Sequence, residues 1–435
     1  MGVTNPDTQT TSTTTTTTPA SPQPFNRLIS LDSPTPSLPD FERLCSQTTD
    51  GTLYPHASII TQNIPIYSTR TLSLTDAADL AAVQNEWYHI LSAGPGIFVL
   101  QHFYDQQDQA TLTATTAAFT RIIAHEASSG VKGDHFSTGH NARIWNSFSK
   151  HAFADPTSFV SYYSNPWLRA VSETWLGPGY RLTAQVNIVR PGGHAQAPHR
   201  DYHLGFQDDR NCARFPRGLH AASACLTLQG AVAHSDMPER SGPTRFLPFS
   251  QRFEPGYLAW RREEFKAFFE REYVALPLRE GDAVFFNPAV MHAAGENCLA
   301  VESGFERRAN LLQIGAAVGK TMESVDVVAV VEAVWPEVRR RFDAEAGKKK
   351  EEEDEEDEED EGEELDANWE AFVRALGEGY PFPTNLDRRP PAPNGMAPES
   401  EQDLIRRGLL DGWGKEEMVA RLRQLHEDER GHQCL

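Results

Sequence analysis

The stretch Asn187-Ile-Val-Arg-Pro-Gly-Gly-His-Ala-Gln-Ala-Pro-His-Arg-Asp-Tyr-His-Leu-Gly-Phe206 decides how this chain is read. A β-branched run leads into a Pro-Gly-Gly turn, and His199-Arg200-Asp201 follows. In extended backbone, residues two apart share a face. His199 and Asp201 can then offer an imidazole nitrogen and a carboxylate oxygen to one ion, with Arg200 turned away. A third ligand from a distant strand would complete a facial set and leave open positions, an arrangement suited to redox iron. Alone, His-x-Asp equally describes a surface hydrogen bond.

The second half lies 91 residues beyond Asp201, in REGDAVFFNPAVMHAAGENC (279–298). A Gly281-Asp282 turn and the apolar run AVFF deliver His292 into a Gly/Ala-rich segment where bulky side chains would obstruct a ligand. Arg307 and Arg308 then open the apolar run ANLLQIGA (309–316). Upstream, AQVNIV (184–189) alternates Gln185 and Asn187 with apolar residues, which puts a polar face where a pocket should be. His203 continues the period-two face beyond Asp201, and His194 reads as a cap on the Gly-Gly turn. Asn297 suits a tight turn, and Trp145-Asn146 a pocket entrance or core.

Short strands separated by turns, without regular helix alternation, favour an antiparallel barrel or sandwich over a doubly wound sheet. Strands are expected at GIFVLQHF (96–103) and within SACLTLQGAVA (223–233). Helices are expected after Ser73 or Thr75, over 105–128, 261–273 and 321–345 (kinked at Pro336), and over 400–411 and 415–428.

The order His-x-Asp, then Gly-Asp, strand and His-x-x-Gly-x-Asn, then an arginine opening the last strand, resembles the phytanoyl-CoA dioxygenase family. SGPTRFLP (241–248) and the early GIFVLQHF strand add to the likeness, which covers roughly 95 to 320. The resemblance implies a mainly β fold with flanking helices around a double-stranded β-helix (jelly-roll or cupin-like) core. It implies iron(II) on His199, Asp201 and His292, with 2-oxoglutarate as co-substrate, oxygen consumed, and a small organic substrate hydroxylated. The co-substrate arginine falls on Arg307, with Arg308 the alternative, and Gln185 and Asn187 join the co-substrate pocket. Three positions depart from the family pattern. Ala294 stands where many relatives carry a small hydroxyl residue, PFSQRF (248–253) replaces PGSH, and about four extra residues precede Arg307. These departures keep a second reading open, a barrel that binds a metal or ligand without turnover.

The formal charge of −21 is concentrated in EEEDEEDEEDEGEELD (351–366), whose 14 carboxylates leave −7 for the rest. A mildly acidic body offers no footprint for nucleic acid or an anionic membrane. The acidic run reads as a self-repelling linker that could meet a basic partner. Five scattered cysteines without a CxxC pair argue against a disulfide framework or a thiolate zinc site. No apolar run approaches the roughly 20 residues that span a bilayer, and the Thr-rich start lacks a signal pattern; a cytoplasmic protein is expected. The organisation read from composition is a disordered Thr/Pro-rich arm (1–40), an oxygenase domain with N-terminal helices (41–335), a helix end with acidic linker (336–368), and a C-terminal helical segment (369–435).

Overall fold

The computed structural model describes residues 26–30, 36–129, 141–353, 364–391 and 397–430, with the side chains of 349–353 left aside. Most of the Thr-rich arm and most of the acidic run lie outside the described residues. At the end of the arm, Leu38–Cys45 is a helix. Ser37 caps it, and it buries Phe41 and Cys45.

Among the described residues eleven strands occur in order: β1 Ile59–Thr61, β2 Ile64–Ser68, β3 Ile97–Gln101, β4 Ala142–Ile144, β5 Arg181–Val189, β6 Thr227–Ala233, β7 Arg245–Leu247, β8 Val274–Ala275, β9 Ala283–Phe286, β10 Met291–Ala293 and β11 Arg307–Gly315. Eight form a mixed sheet in the order β1-β2-β3-β9-β6-β11-β5-β4, and three form a small sheet, β10-β7-β8. Within the large sheet only β2–β3 is parallel.

Strand alternation gives the large sheet two working faces. Phe98, Leu100, Leu182, Ala184, Leu228, Val232, Phe285, Leu312 and Ile314 point to a helical layer and join the largest core cluster. Their neighbours Ile97, Val99, Ala231, Val284, Phe286 and Ala309 point the other way and meet Phe246 of the small sheet. The back of the small sheet, with Leu247, Met291 and Ala293, is closed by Phe41, Phe265, Phe268 and Phe269 from two helices. The interior between the sheets is therefore lined by one residue in two from each strand.

The expectation of a mainly β chain is corrected here, because the structure is about 47% helical. Much of the excess comes from Ser147–Ala154, Pro156–Tyr163 and Pro166–Leu176. The last two start on Asp155 and Asn165, whose side chains accept backbone N–H groups ahead of a proline at the first helical position. The apolar run 223–233 also divides: it closes the helix Arg217–Cys225 and then becomes β6.

The helix Val327–Glu353 continues through Pro336. Val327, Val330, Val331, Val334, Trp335 and Val338 are buried in the main cluster, together with Trp369, Phe372, Leu404, Leu409 and Met418 from the C-terminal helices. Trp335 Nε1 donates to the Trp413 carbonyl at 2.9 Å. At the start of β5, Arg181 meets Glu401 at 2.6 Å and Glu378 at 3.0 Å. The helices from Val327 onward thus cover the outer face of the large sheet. Among the described residues no helix is long and apolar enough to cross a membrane.

Candidate metal centre

The His-x-Asp segment is not part of a regular strand. His199 forms an isolated antiparallel bridge with His292, each backbone N–H donating to the other's carbonyl, at 2.9 and 3.0 Å. The Asp201 N–H donates to the Pro288 carbonyl at 2.9 Å. His292 reaches this position because Gly281 and Asp282 turn the chain into β9. Gly281 has φ +89°, and a Cβ there would lie 2.4 Å from the Tyr104 carbonyl oxygen. The Asp282 carboxylate accepts the His102 and Arg279 N–H groups at 3.0 and 2.9 Å.

The bridge brings the three side chains to one point. One ligating atom from each of His199, Asp201 and His292 lies within 4.8 Å of the others. His199 Nε2 is 3.7 Å from Asp201 Oδ1, and His292 Nε2 is 3.6 Å from Oδ2. Each Nδ1 lies 2.8 Å from a backbone carbonyl two residues earlier, Ala197 for His199 and Val290 for His292. Donation there fixes the tautomer and leaves both Nε2 lone pairs facing the common point. Asp201 Oδ2 also accepts from Gln229 Nε2 of β6 at 2.8 Å. Burial alone would favour the neutral acid, but the two imidazoles hold the Asp201 carboxyl well below its ordinary range. Burial, then the charge of His199, lowers His292; His199 is raised, burial being outweighed by Asp201.

These residues border a cavity of about 350 Å³ that also includes Arg143, Gln185, Asn187 and Arg307. Arg307 is buried and donates to the Gly242 carbonyl and to Asn187 Oδ1, the latter at 3.0 Å. Its Nε has no hydrogen-bond partner, and it makes no ion pair with a carboxylate among the described residues. Burial, then the nearby charge of Arg143, pushes it down to about 10. Gln185 accepts from Arg143 Nη1 at 2.7 Å. Arg308 lies on the other face of β11, outside the cavity, where it pairs with Glu306 at 2.6 Å. A larger depression, of about 860 Å³, lies elsewhere beside the Arg70–Asp105 ion pair and contains none of these residues.

The phytanoyl-CoA dioxygenase (PhyH) family model matches residues 95–308, from the turn before β3 to the arginine pair opening β11. Residues 95–308 belong to the phytanoyl-CoA dioxygenase family. Among solved structures the chain is similar to the epimerase SnoN in complex with Fe3+, alpha ketoglutarate and nogalamycin RO, at 17% identity and TM-score 0.39, covering 55% of this chain and 85% of that one. It is also similar to the alpha ketoglutarate dependent carbocyclase SnoK from nogalamycin biosynthesis, at 17% identity and TM-score 0.38, covering 53% and 83%. Comparison with curated proteins yields no match.

Two residues at the centre of the phytanoyl-CoA dioxygenase domain escaped the sequence reading. Arg143 enters through the pairing of β4 with β5, where it lies opposite Asn187. Gln229 enters through β6, opposite Gln313 of β11. Neither carries a local motif; strand register alone brings them in. His203 is held by the Lys320 carbonyl, with its Nε2 at 2.7 Å, and is not part of the ligand cluster. Asn297 donates to the Val189 carbonyl at 2.9 Å and accepts the Leu299 N–H at 3.1 Å, tying the turn together.

Proposed function

We propose that this chain is an iron(II)- and 2-oxoglutarate-dependent dioxygenase that hydroxylates a small organic molecule within a double-stranded β-helix core. One observation carries the reading. A single cavity holds a His–Asp–His face and, on the adjoining strands, a buried guanidinium with no carboxylate partner among the described residues. His199, Asp201 and His292 would hold the iron through two Nε2 atoms and one carboxylate, a donor set that suits this metal and leaves positions free. Arg307 is a buried cation with an uncommitted Nε, which suits a planar, two-point grip on the far carboxylate of 2-oxoglutarate. Arg308 does not fit that role, because its charge is spent on Glu306 outside the cavity.

Bound iron(II) and 2-oxoglutarate supply the oxidising chemistry, in which oxygen is consumed and succinate and carbon dioxide leave. The chain's own residues bind, orient and shield. Asn187 holds the Arg307 fork in plane, Gln229 steadies the Asp201 carboxylate, and the backbone carbonyls of Ala197 and Val290 keep each imidazole in one tautomer. Ala231, Phe286 and Leu311 give the cavity apolar walls that limit water around the reacting groups.

Ala294 also lines the cavity and offers no hydroxyl to the co-substrate, which favours a second reading: ligand binding without turnover. Oxygen-dependent succinate formation from 2-oxoglutarate, measured after anaerobic loading with iron(II), separates the two. The dioxygenase reading expects succinate from the parent chain and none from His199→Ala. Undiminished succinate from His199→Ala would refute the ligand assignment. A loaded parent chain that binds 2-oxoglutarate but forms no succinate selects the second reading.

A further inference from the structure

A second cleft, of about 360 Å³, opens beside the metal centre and shares Asp201, Phe206, Gln313 and Met322 with the first cavity. Its large side chains come from three separate parts of the chain, set against the ends of β6 and β11. Trp145 follows β4, Phe206 follows the His-x-Asp segment, and Met322 belongs to the connection between β11 and the helix Val327–Glu353. Gly315 at the end of β11 contributes bare backbone. A Cβ there would come within 2.8 Å of Thr321 Cγ2, so the connection lies directly against the strand.

Charge is nearly absent from this cleft. Among its described lining residues Lys320 is the one formal cation, and its side chain is exposed. The one acid is Asp201, which faces the two histidines. Both His203 nitrogens lie against backbone carbonyls, Ser223 at 3.4 Å and Lys320 at 2.7 Å. Apart from Asp201 no buried lining residue of this cleft is charged; a neighbouring buried cation, Arg143, lies over the Trp145 ring, 5.1 Å from its centre, and donates to Gln185, and a charged group left unpaired against the remaining walls is costly. Two large apolar side chains are instead left uncovered at the mouth, Phe206 at 56% and Met322 at 45% exposure. Covering them with apolar surface is favourable in proportion to area. An apolar cavity of about 150 Å³ takes one benzene ring, so this cleft has room for roughly two.

Resting on the dioxygenase reading above, we infer that the primary substrate is an uncharged, ring-containing apolar molecule gripped between Trp145, Phe206 and Met322. Its carbon to be oxidised lies at the Asp201 end, and any charged group stays at the rim near Lys320. The size of about two fused rings follows from the cleft volume.

Calorimetric titration of the full chain at neutral pH tests this, with 2-naphthol as the neutral probe and 2-naphthoate as its anion of matched size. The inference expects 2-naphthol to bind and 2-naphthoate to bind at least about tenfold more weakly, a difference of about 1.4 kcal/mol. Phe206→Asp and Met322→Asp should each weaken 2-naphthol by a similar factor. Phe382→Asp, at an exposed apolar position in the C-terminal segment, should leave it unchanged. No binding of 2-naphthol, tighter binding of 2-naphthoate, or indifference to both cleft substitutions overturns the inference. The titration reads occupancy without turnover, so the two proposals fail separately. Succinate formation without 2-naphthol binding removes the substrate class alone, whereas 2-naphthol binding without succinate removes the oxygenase alone.

Discussion

Replacing Arg307 with methionine sets two consequences of one buried charge against each other. The guanidinium has an ordinary value of 12.5 and is brought down to about 10, first by burial and then by Arg143. At about 1.4 kcal/mol per pH unit, keeping that charge in place costs about 3 kcal/mol. Against this stand its two hydrogen bonds, to Gly242 and Asn187, which from a charged donor return roughly 1.5–3 kcal/mol each. The bonds together return about 3–6 kcal/mol against that cost, so Arg307→Met should destabilise the metal-free chain by no more than about 3 kcal/mol. Co-substrate binding has no such compensation. Deleting one partner of a buried charge pair costs about 2–5 kcal/mol, or roughly 30- to 5,000-fold in Kd. Calorimetric titration of 2-oxoglutarate into the manganese(II)-loaded chain reads the affinity, and urea unfolding of the metal-free chain reads the stability. Arg308→Met is the control and should leave the affinity unchanged. An Arg307→Met chain that binds 2-oxoglutarate within about threefold of the parent, or that loses more than about 4 kcal/mol of stability, would make Arg307 a strut and refute the reasoning.

Gln229→Leu removes the hydrogen bond that steadies Asp201 and should weaken divalent-metal affinity about 10- to 100-fold, read by competition with a metallochromic chelator. In the parent chain, metal at about 100 times its Kd should raise stability by about 2.7 kcal/mol; thermal unfolding with and without manganese(II) checks this, and Asp201→Ala should abolish the rise. Gly242→Ala should weaken 2-oxoglutarate binding without touching a ligand: Gly242 has φ +75° and a Cβ there would lie 2.3 Å from the Glu296 carbonyl oxygen, so the turn whose carbonyl holds Arg307 must shift. At the far end of the molecule, the Glu401 hydrogen bond raises His426 above 6.5, burial opposing it. A raised folded value means this stabilisation is complete below 6.5 and lost as pH climbs through the folded value. The melting-temperature difference between the parent and His426→Gln should therefore shrink as pH rises above 6.5; a constant difference would show that the pair contributes no charge-dependent stability.

The centre of the site was legible because its chemistry is written locally. His199 and Asp201 sit two residues apart, and a Gly-Asp turn announces the strand before His292. Gln185 and Asn187 were legible for a similar reason, as polar residues alternating along an apolar strand. Arg143 and Gln229 were not, because what brings them in is a pairing between strands distant in sequence, which no short window contains. Which of Arg307 and Arg308 enters the cavity depended on the strand's facing, and one residue of slip reverses it. The helical content was underestimated for another reason. Asp155-Pro156 and Asn165-Pro166 carry start signals of the usual kind, but the helices they open are rich in Tyr, Phe and Trp, which by propensity suit strands at least as well. Packing decided them: Phe159, Tyr162 and Tyr163 are buried in the main cluster. The same holds for the helix Ala367–Leu376, which packs against β5 and Pro166–Leu176, both distant in sequence, whereas the helices expected at 400–411 and 415–428 were legible.

The reciprocal main-chain pairing of His199 with His292 makes the geometry of the centre independent of its side chains. Cutting back either imidazole leaves both Cα positions stapled together, so the vacancy keeps the outline of the ring that left it. His292→Gly should then accept free imidazole from solution as a substitute donor. A centre assembled from mobile loops would collapse on such a deletion; this one can be emptied and refilled.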